Sequence, residues 1–140
     1  MQPEARHRRI FIAEDDRSVL ELLTTRLGLA GYDTVYGRDG WEALDGIHST
    51  HPAAIILDVN MPRLDGFGVL RHLRKSPRVA HIPVMMLTAR NAPGDIKEAL
   101  TLGARDYLAK PFTDAQLLAR VTRLLRPRPV STPANESILL

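Results

Sequence analysis

An acidic triplet, Glu14-Asp15-Asp16, closes one short apolar run, Asp58 closes another, Thr88-Ala89 a third and Lys110-Pro111 a fourth. Carboxylates, a hydroxyl and an amine at four such exits make one chemical set, suited to holding a divalent metal and a phosphoryl group together. Two carboxylates about 4 Å apart repel by roughly 4 kcal/mol at an effective dielectric near 20, so gathering several demands a counter-charge. A hard cation supplies it. Magnesium takes oxygen ligands and keeps several waters, so two carboxylates and a backbone carbonyl suffice from the protein. Asp58 ends the run Ile55-Ile56-Leu57 and is the best-placed nucleophile. Its carboxylate can attack phosphorus to give an acyl phosphate. Lys110 would then neutralise one phosphoryl oxygen, and the Thr88 hydroxyl would donate to another.

Those groups need a scaffold that brings distant exits together. The apolar runs are Ile10 to Ala13, Val35-Tyr36 after Tyr32, Ala54 to Leu57, Val84 to Leu87 and Tyr107 to Ala109. Most are short and do not alternate, which predicts strands buried on both faces. Between them, apolar residues recur at helical spacing: Val19, Leu20, Leu23 and Leu27; Ala43, Leu44 and Ile47; Val69, Leu70 and Leu73; Ile96, Ala99 and Leu100; Leu117, Leu118, Val121, Leu124 and Leu125. Thr113 with Gln116 makes a capping box, Asp95 with Glu98 imitates one, and Gly28, Gly31 and Gly103 mark helix ends. Five strands alternating with five helices predict a doubly wound α/β domain, its parallel sheet covered on both faces. In such a sheet, functional groups gather beyond the carboxyl ends of the strands, at the topological switch point.

With 140 residues, 44% of them hydrophobic, the chain fits one domain with a sizeable core. That domain is read as residues 1–126. Residues 127–140, rich in proline and small polar residues, are read as a flexible tail or the start of a linker. The net charge of +3 and pI near 9.7 arise from scattered arginines, clustered locally at Arg6, Arg8 and Arg9 and at Arg123, Arg126 and Arg128. Stacking aromatics are missing beside both clusters, so direct nucleic-acid binding is not expected, and solvated termini are. The absence of cysteine rules out disulfides and thiolate metal sites. Ile10-Phe11-Ile12-Ala13 stops at once against three acids, unlike a secretory signal, and no apolar stretch reaches membrane-spanning length. A cytoplasmic protein without membrane association is the expectation.

The motifs Ile12-Ala13-Glu14-Asp15-Asp16, Leu57-Asp58-Val59-Asn60-Met61-Pro62 with Asp65-Gly66, Leu87-Thr88-Ala89, and Gly103 through Phe112 recur here in a familiar order and spacing. From about Arg9 to Leu125 the chain resembles a bacterial response-regulator receiver domain, the phosphorylated half of two-component signalling. The resemblance implies a flavodoxin-like sheet of order 2-1-3-4-5. It implies that Asp58 accepts a phosphoryl group from a phosphohistidine on a sensor histidine kinase or phosphotransfer protein. It implies Mg2+, with Mn2+ as a substitute, held directly by Asp15 and Asp58, by the Asn60 backbone carbonyl, and by Glu14 through water. Thr88 and Lys110 would contact the phosphoryl group, Tyr107 would rotate inward as Thr88 shifts, and the Lys110-Pro111 peptide would be cis. Arg90 stands where relatives tune dephosphorylation, and Arg105 replaces a frequent acid in a segment relatives use for dimer contacts. The implied protein is regulatory rather than an enzyme with a separate substrate. Its partners would be a downstream effector or an output domain joined to the chain, and a homodimer formed on phosphorylation.

Each fragment has a plainer reading in isolation. Asp58 alone is a turn residue, the triplet an acidic first helical turn, Thr88 a cap, Lys110 a surface amine and Tyr107 core. Their coincidence at matching strand exits favours the shared site. His48 and His51 lack a third ligand, and Trp41, Met85 and Met86 read as packing, with Trp41 half exposed. An aspartyl-nucleophile phosphohydrolase would want an acid two positions after Asp58, where Asn60 stands. A flavodoxin-like cofactor binder would want a hydroxyl- and glycine-rich loop where the three acids lie. The remaining alternative is a receiver belonging to a longer DNA-binding or enzymatic regulator.

Overall fold

The computed structural model describes residues 8–89 and 93–127. In chain order these form β1 (Arg9–Ala13), α1 (Arg17–Leu29), β2 (Asp33–Gly37), α2 (Gly40–Thr50), β3 (Ala54–Asp58), α3 (Gly66–Arg74), β4 (Val84–Thr88), α4 (Pro93–Thr101), β5 (Asp106–Ala109) and α5 (Asp114–Leu125). The strands pair in parallel in the order β2-β1-β3-β4-β5, which is the doubly wound α/β topology.

Strand alternation sorts the core into two layers. Phe11, Ala13, Ile55, Leu57, Val84 and Met86 face α2, α3 and α4, packing on Ala43, Ile47, Leu70, Leu73 and Ala99. Their neighbours Ile10, Ile12, Ile56, Met85, Leu87 and Leu108 face α1 and α5, against Leu20, Leu23, Leu27, Leu117, Val121 and Leu124. Each fully buried aliphatic side chain contributes about 1.5–3 kcal/mol, so the central strands, apolar at nearly every position, anchor both layers. β1, β3 and β4 meet the expectation of burial on both faces. The outer strands do not: β2 and β5 are only partly buried, because each lacks a neighbour on one side.

Helix starts follow the capping chemistry. Asp16, Asp39 and Asp65 accept backbone N–H bonds at the heads of α1, α2 and α3, and Thr113 with Gln116 completes the capping box of α5. Asp95 differs from its expected role. α4 begins at Pro93, a residue suited to a first turn, so Asp95 lies inside that turn. Gly28 likewise sits within the last turn of α1, and the positive φ expected of a helix end appears at Gly31 (94°) and Gly103 (100°). At Gly103 a Cβ would also meet Arg74 Nε at 2.5 Å, since that guanidinium donates to the Leu102, Gly103 and Ala80 carbonyls.

The arginines read as solvated are partly structural. Arg8 donates to the Ala30 and Gly31 carbonyls, Arg9 pairs with Asp33, and Arg123 pairs with Asp106. Arg105 Nη1 donates to the Leu124 carbonyl at the end of α5. His48 lies in the last turn of α2, whereas His51 is its left-handed C-cap (φ 46°). Trp41 is 43% exposed and meets His72 edge-on, and Met85 and Met86 are core. Arg90, Arg6, Arg128 and nearly all of the tail fall outside the described residues. Among the described residues, no helix is long and apolar enough to cross a membrane.

Candidate functional site

Sheet register alone assembles the site. Ala13 lies opposite Leu57, which places Glu14 beside Asp58 one step later. Thr88 lies opposite Ala109, and the Lys110 N–H donates to the Thr88 carbonyl (2.7 Å), which places Lys110 at the same level. Alternation then separates two tasks. Glu14, Asp58 and Lys110 share parity with Ile12, Ile56 and Leu108, on the α1/α5 side. Thr88 and Tyr107 share parity with Met86 on the other side, where they line a small space with Val59, Asp95, Ile96 and Ala99. Charge thus gathers on one face of the sheet and the hydroxyl and phenol on the other.

Lys110 Nζ stands 3.3 Å from Asp58 Oδ1 and 3.0 Å from Glu14 Oε1. Both carboxylates are buried, Glu14 at 1% exposure and Asp58 at 4%. Burial and the adjacent Glu14 charge push the Asp58 carboxyl up to about 6, against the opposing pull of Lys110. For Lys110, burial works against its charge, and the Glu14 and Asp58 carboxylates outweigh it, so its pKa rises above the ordinary lysine value. The Lys110-Pro111 peptide is cis, as expected.

The acidic triplet divides its labour. Asp16 Oδ1 caps α1 by accepting from Ser18 and Val19, and Glu14 Oε2 accepts from the Asp16 N–H (3.0 Å). Asp15 is exposed, with its carbonyl accepting from Arg38 Nη2 (3.1 Å). Asn60 is exposed two residues past Asp58. Of the three carboxylates expected to meet, the structure therefore brings Glu14 and Asp58 onto one lysine and leaves Asp15 in solvent. Among the described residues, no three acidic or histidine side chains already converge as a metal cage.

These residues nonetheless fit a cation. Two buried carboxylates against one ammonium leave negative charge uncompensated, and Glu14 Oε1, although ion-paired, is buried without a hydrogen bond. An exposed third carboxylate and a nearby backbone carbonyl suit magnesium, which retains much of its water.

Two features escape the sequence reading. Arg38 follows the exit of β2 and could have been found by the rule that located the other exits. Asp106, 9% exposed, holds Arg120 (2.9 Å) and Arg123 (2.6 Å), and Arg120 also donates to the Tyr107 carbonyl (2.7 Å) and lies 6.0 Å above its ring. Nothing in the local pattern announces those pairs.

Gly66 supports the site from below. A Cβ there would meet the Asp58 carbonyl oxygen at 2.3 Å and Val59 Cα at 2.9 Å. Both obstacles are backbone, so Gly66→Ala is expected to displace the exit of β3 and to lower stability by about 1–3 kcal/mol in urea unfolding. An unchanged midpoint would show that the loop yields freely.

The family model for the response regulator receiver domain matches residues 10–122. The response regulator MprA of Mycolicibacterium vanbaalenii is 45% identical over 129 residues, which cover 92% of this chain and 55% of that protein. MprA of Mycobacterium avium is 47% identical over 118 residues, 84% of this chain and 51% of that one. The chain thus spans about half the length of these curated relatives. Among solved structures, the chemotaxis response regulator CheY4 of Vibrio cholerae matches with a TM-score of 0.79 at 31% identity, covering 83% of this chain and 97% of that one. The receiver domain of the sensor histidine kinase PA1611 from Pseudomonas aeruginosa, solved with a magnesium ion coordinated in its active site cleft, matches with a TM-score of 0.79 at 30% identity, covering 84% and 97%.

Proposed function

Because the chain belongs to the response regulator receiver domain family, we propose that Asp58 is its phosphoacceptor, taking a phosphoryl group from a kinase phosphohistidine. The observation that carries this reading is the buried Asp58–Lys110–Glu14 cluster at the carboxyl end of the sheet. An Asp58 oxygen forms a bond to phosphorus while the bond from phosphorus to the donor imidazole breaks, and the electron pair leaves with the imidazole. Lys110 is positioned to stabilise charge on a phosphoryl oxygen, and the Thr88 hydroxyl to donate to another. Asp15, Asp58 and the Asn60 carbonyl would hold Mg2+ or Mn2+, with Glu14 reaching it through water. The bound ion would offset the acidic charge and polarise the phosphoryl oxygens.

Output follows from the opposite face. Phosphorylation adds roughly −1.5 to −2 charges and three strong acceptors, which draw Thr88 and Lys110 toward Asp58. A shift of Thr88 would let the Tyr107 ring, which already lines the space beneath α4, move deeper into it and away from Arg120. The surface of α4, β5 and α5 is read as the interaction face. Moving it from 1:99 to 99:1 would require phosphorylation to favour one state by about 5.5 kcal/mol. The chain acts as a cytoplasmic regulatory phosphoacceptor rather than an enzyme with a separate substrate. Its partners are a histidine kinase or phosphotransfer protein and a downstream effector. A second reading, a receiver joined to an output domain in a longer regulator, is favoured by the chain spanning only about half of its curated relatives.

Mass spectrometry after incubation with a small phosphodonor and magnesium tests the assignment. The parent is expected to carry one acid-stable, base-labile phosphoryl adduct and Asp58→Asn none. An adduct that persists on the variant removes Asp58 from this role.

A further inference from the structure

Arg38 is a cation beside an acidic site, and its bonding is incomplete. Its chain reaches from the exit of β2 to the acidic loop after β1, where Nη2 donates to the Asp15 carbonyl at 3.1 Å. The same two loops are already joined by the Glu14 N–H donating to the Gly37 carbonyl (3.1 Å), so the guanidinium is not needed to tie them. Its Nε is buried without a hydrogen-bond partner among the described residues, which a purely structural staple would avoid. Arg17, the first residue of α1, lines the same groove beside Tyr36 and Thr24, with Glu21 as the opposing charge. A permanent positive charge next to a cation-binding loop opposes metal affinity, and it favours whatever anion approaches Asp58.

We propose that Arg38 is a positioning residue that biases the site toward phosphodonors of higher negative charge. The proposal rests on Asp58 being the phosphoacceptor. Arg38 acts through the held Asp15 loop and through its field, without touching the transferred group. In the transfer, an Asp58 oxygen bonds to phosphorus as the bond to the leaving group breaks. Acetate departs with the electron pair from acetyl phosphate, and ammonia departs from the protonated nitrogen of phosphoramidate.

Those two donors separate charge from chemistry. Near neutral pH acetyl phosphate is a dianion, whereas the protonated nitrogen of phosphoramidate leaves it one net negative charge. The readout is the ratio of second-order phosphorylation rates, acetyl phosphate over phosphoramidate, compared between parent and variants. Because both rates come from one preparation, a partly unfolded fraction cancels. Arg38→Ala is expected to lower the ratio about three-fold, the scale of a partly screened interaction with one unit of donor charge. Arg38→Lys, which keeps the charge, should restore it, and raising salt should shrink the parent's advantage. Arg78→Ala, which removes an exposed cation from the opposite end of the sheet, should leave it unchanged. An unchanged ratio in Arg38→Ala, with the parent labelled at Asp58, overturns the proposal and spares the phosphoacceptor assignment. An equal fall in Arg78→Ala also overturns it, by tracing the effect to net charge. Labelling that survives in Asp58→Asn defeats both.

Discussion

The Asp58→Asn substitution is expected to make the protein more stable, by about 1–2 kcal/mol near pH 7.5, while making it unable to carry a phosphoryl group. Folding raises the Asp58 carboxyl from 3.8 to about 6, chiefly by burial and by the Glu14 charge. The unfolded chain therefore sheds this proton from about pH 4 upward, and the folded chain holds it until about pH 6. Across that window stability falls as pH rises, because the folded state binds more protons. At roughly 1.4 kcal/mol per pKa unit the full shift would approach 3 kcal/mol, and solvent screening at the mouth of the site brings the penalty above pH 6 to about 1–2 kcal/mol. The asparagine amide of the variant has nothing to ionise and its oxygen can still accept from Lys110, so the variant escapes the penalty. The two chains should differ little near pH 4. Urea unfolding without magnesium at both pH values measures the gap. A variant less stable than the parent at pH 7.5 would mean that the Lys110 pair outweighs desolvation. Under the proposed phosphoacceptor role, Asp58 would exchange stability for a reactive carboxylate, the usual trade between function and folding.

How much of this is legible in the sequence depends on whether a feature belongs to a strand or to a tertiary pairing. Runs such as Ile55-Ile56-Leu57 announce a central strand, since only burial on both faces tolerates unbroken apolar sequence. Once the strands are parallel, Glu14, Asp58, Thr88 and Lys110 must emerge at one end, and they do. The sheet order itself comes through resemblance, because periodicity cannot rank one buried strand against another. Which carboxylate meets which cation is not readable. Asp15 and Glu14 are adjacent in sequence, yet one faces solvent and the other is 1% exposed on Lys110, a difference set by strand parity at the exit. Asp106 similarly reads as an ordinary strand residue until α5 packs over it and supplies Arg120 and Arg123. Asp95 is misplaced by pattern alone because residues able to cap a helix look alike one turn in, whereas the proline two positions earlier carries the better signal.

Removing the ammonium is the harsher change. Lys110→Met keeps an unbranched stem of similar volume but leaves Glu14 and Asp58 facing each other in a buried setting. Breaking a buried pair costs about 3–5 kcal/mol, and the 22% exposure of the Lys110 side chain places this case at the low end, about 3 kcal/mol near pH 8. The pH dependence identifies the cause. The Lys110 pKa is raised, so its own contribution is complete below the ordinary lysine value and fades only at strongly alkaline pH. Any loss that varies between about pH 4 and 7 is therefore assigned to the Asp58 carboxyl, raised to about 6. With Asp58 protonated near pH 4, the destabilisation should shrink to about 1 kcal/mol. In the double variant Lys110→Met with Asp58→Asn, only Glu14 is left unpaired, and most of the lost stability should return. Unfolding the four chains of this cycle at two pH values gives the coupling directly. Strictly additive effects would mean that lysine and aspartate do not sense one another. The phosphoryl adduct on Lys110→Met should also form far more slowly, because the oxygen charge developed during transfer would have lost its counter-ion.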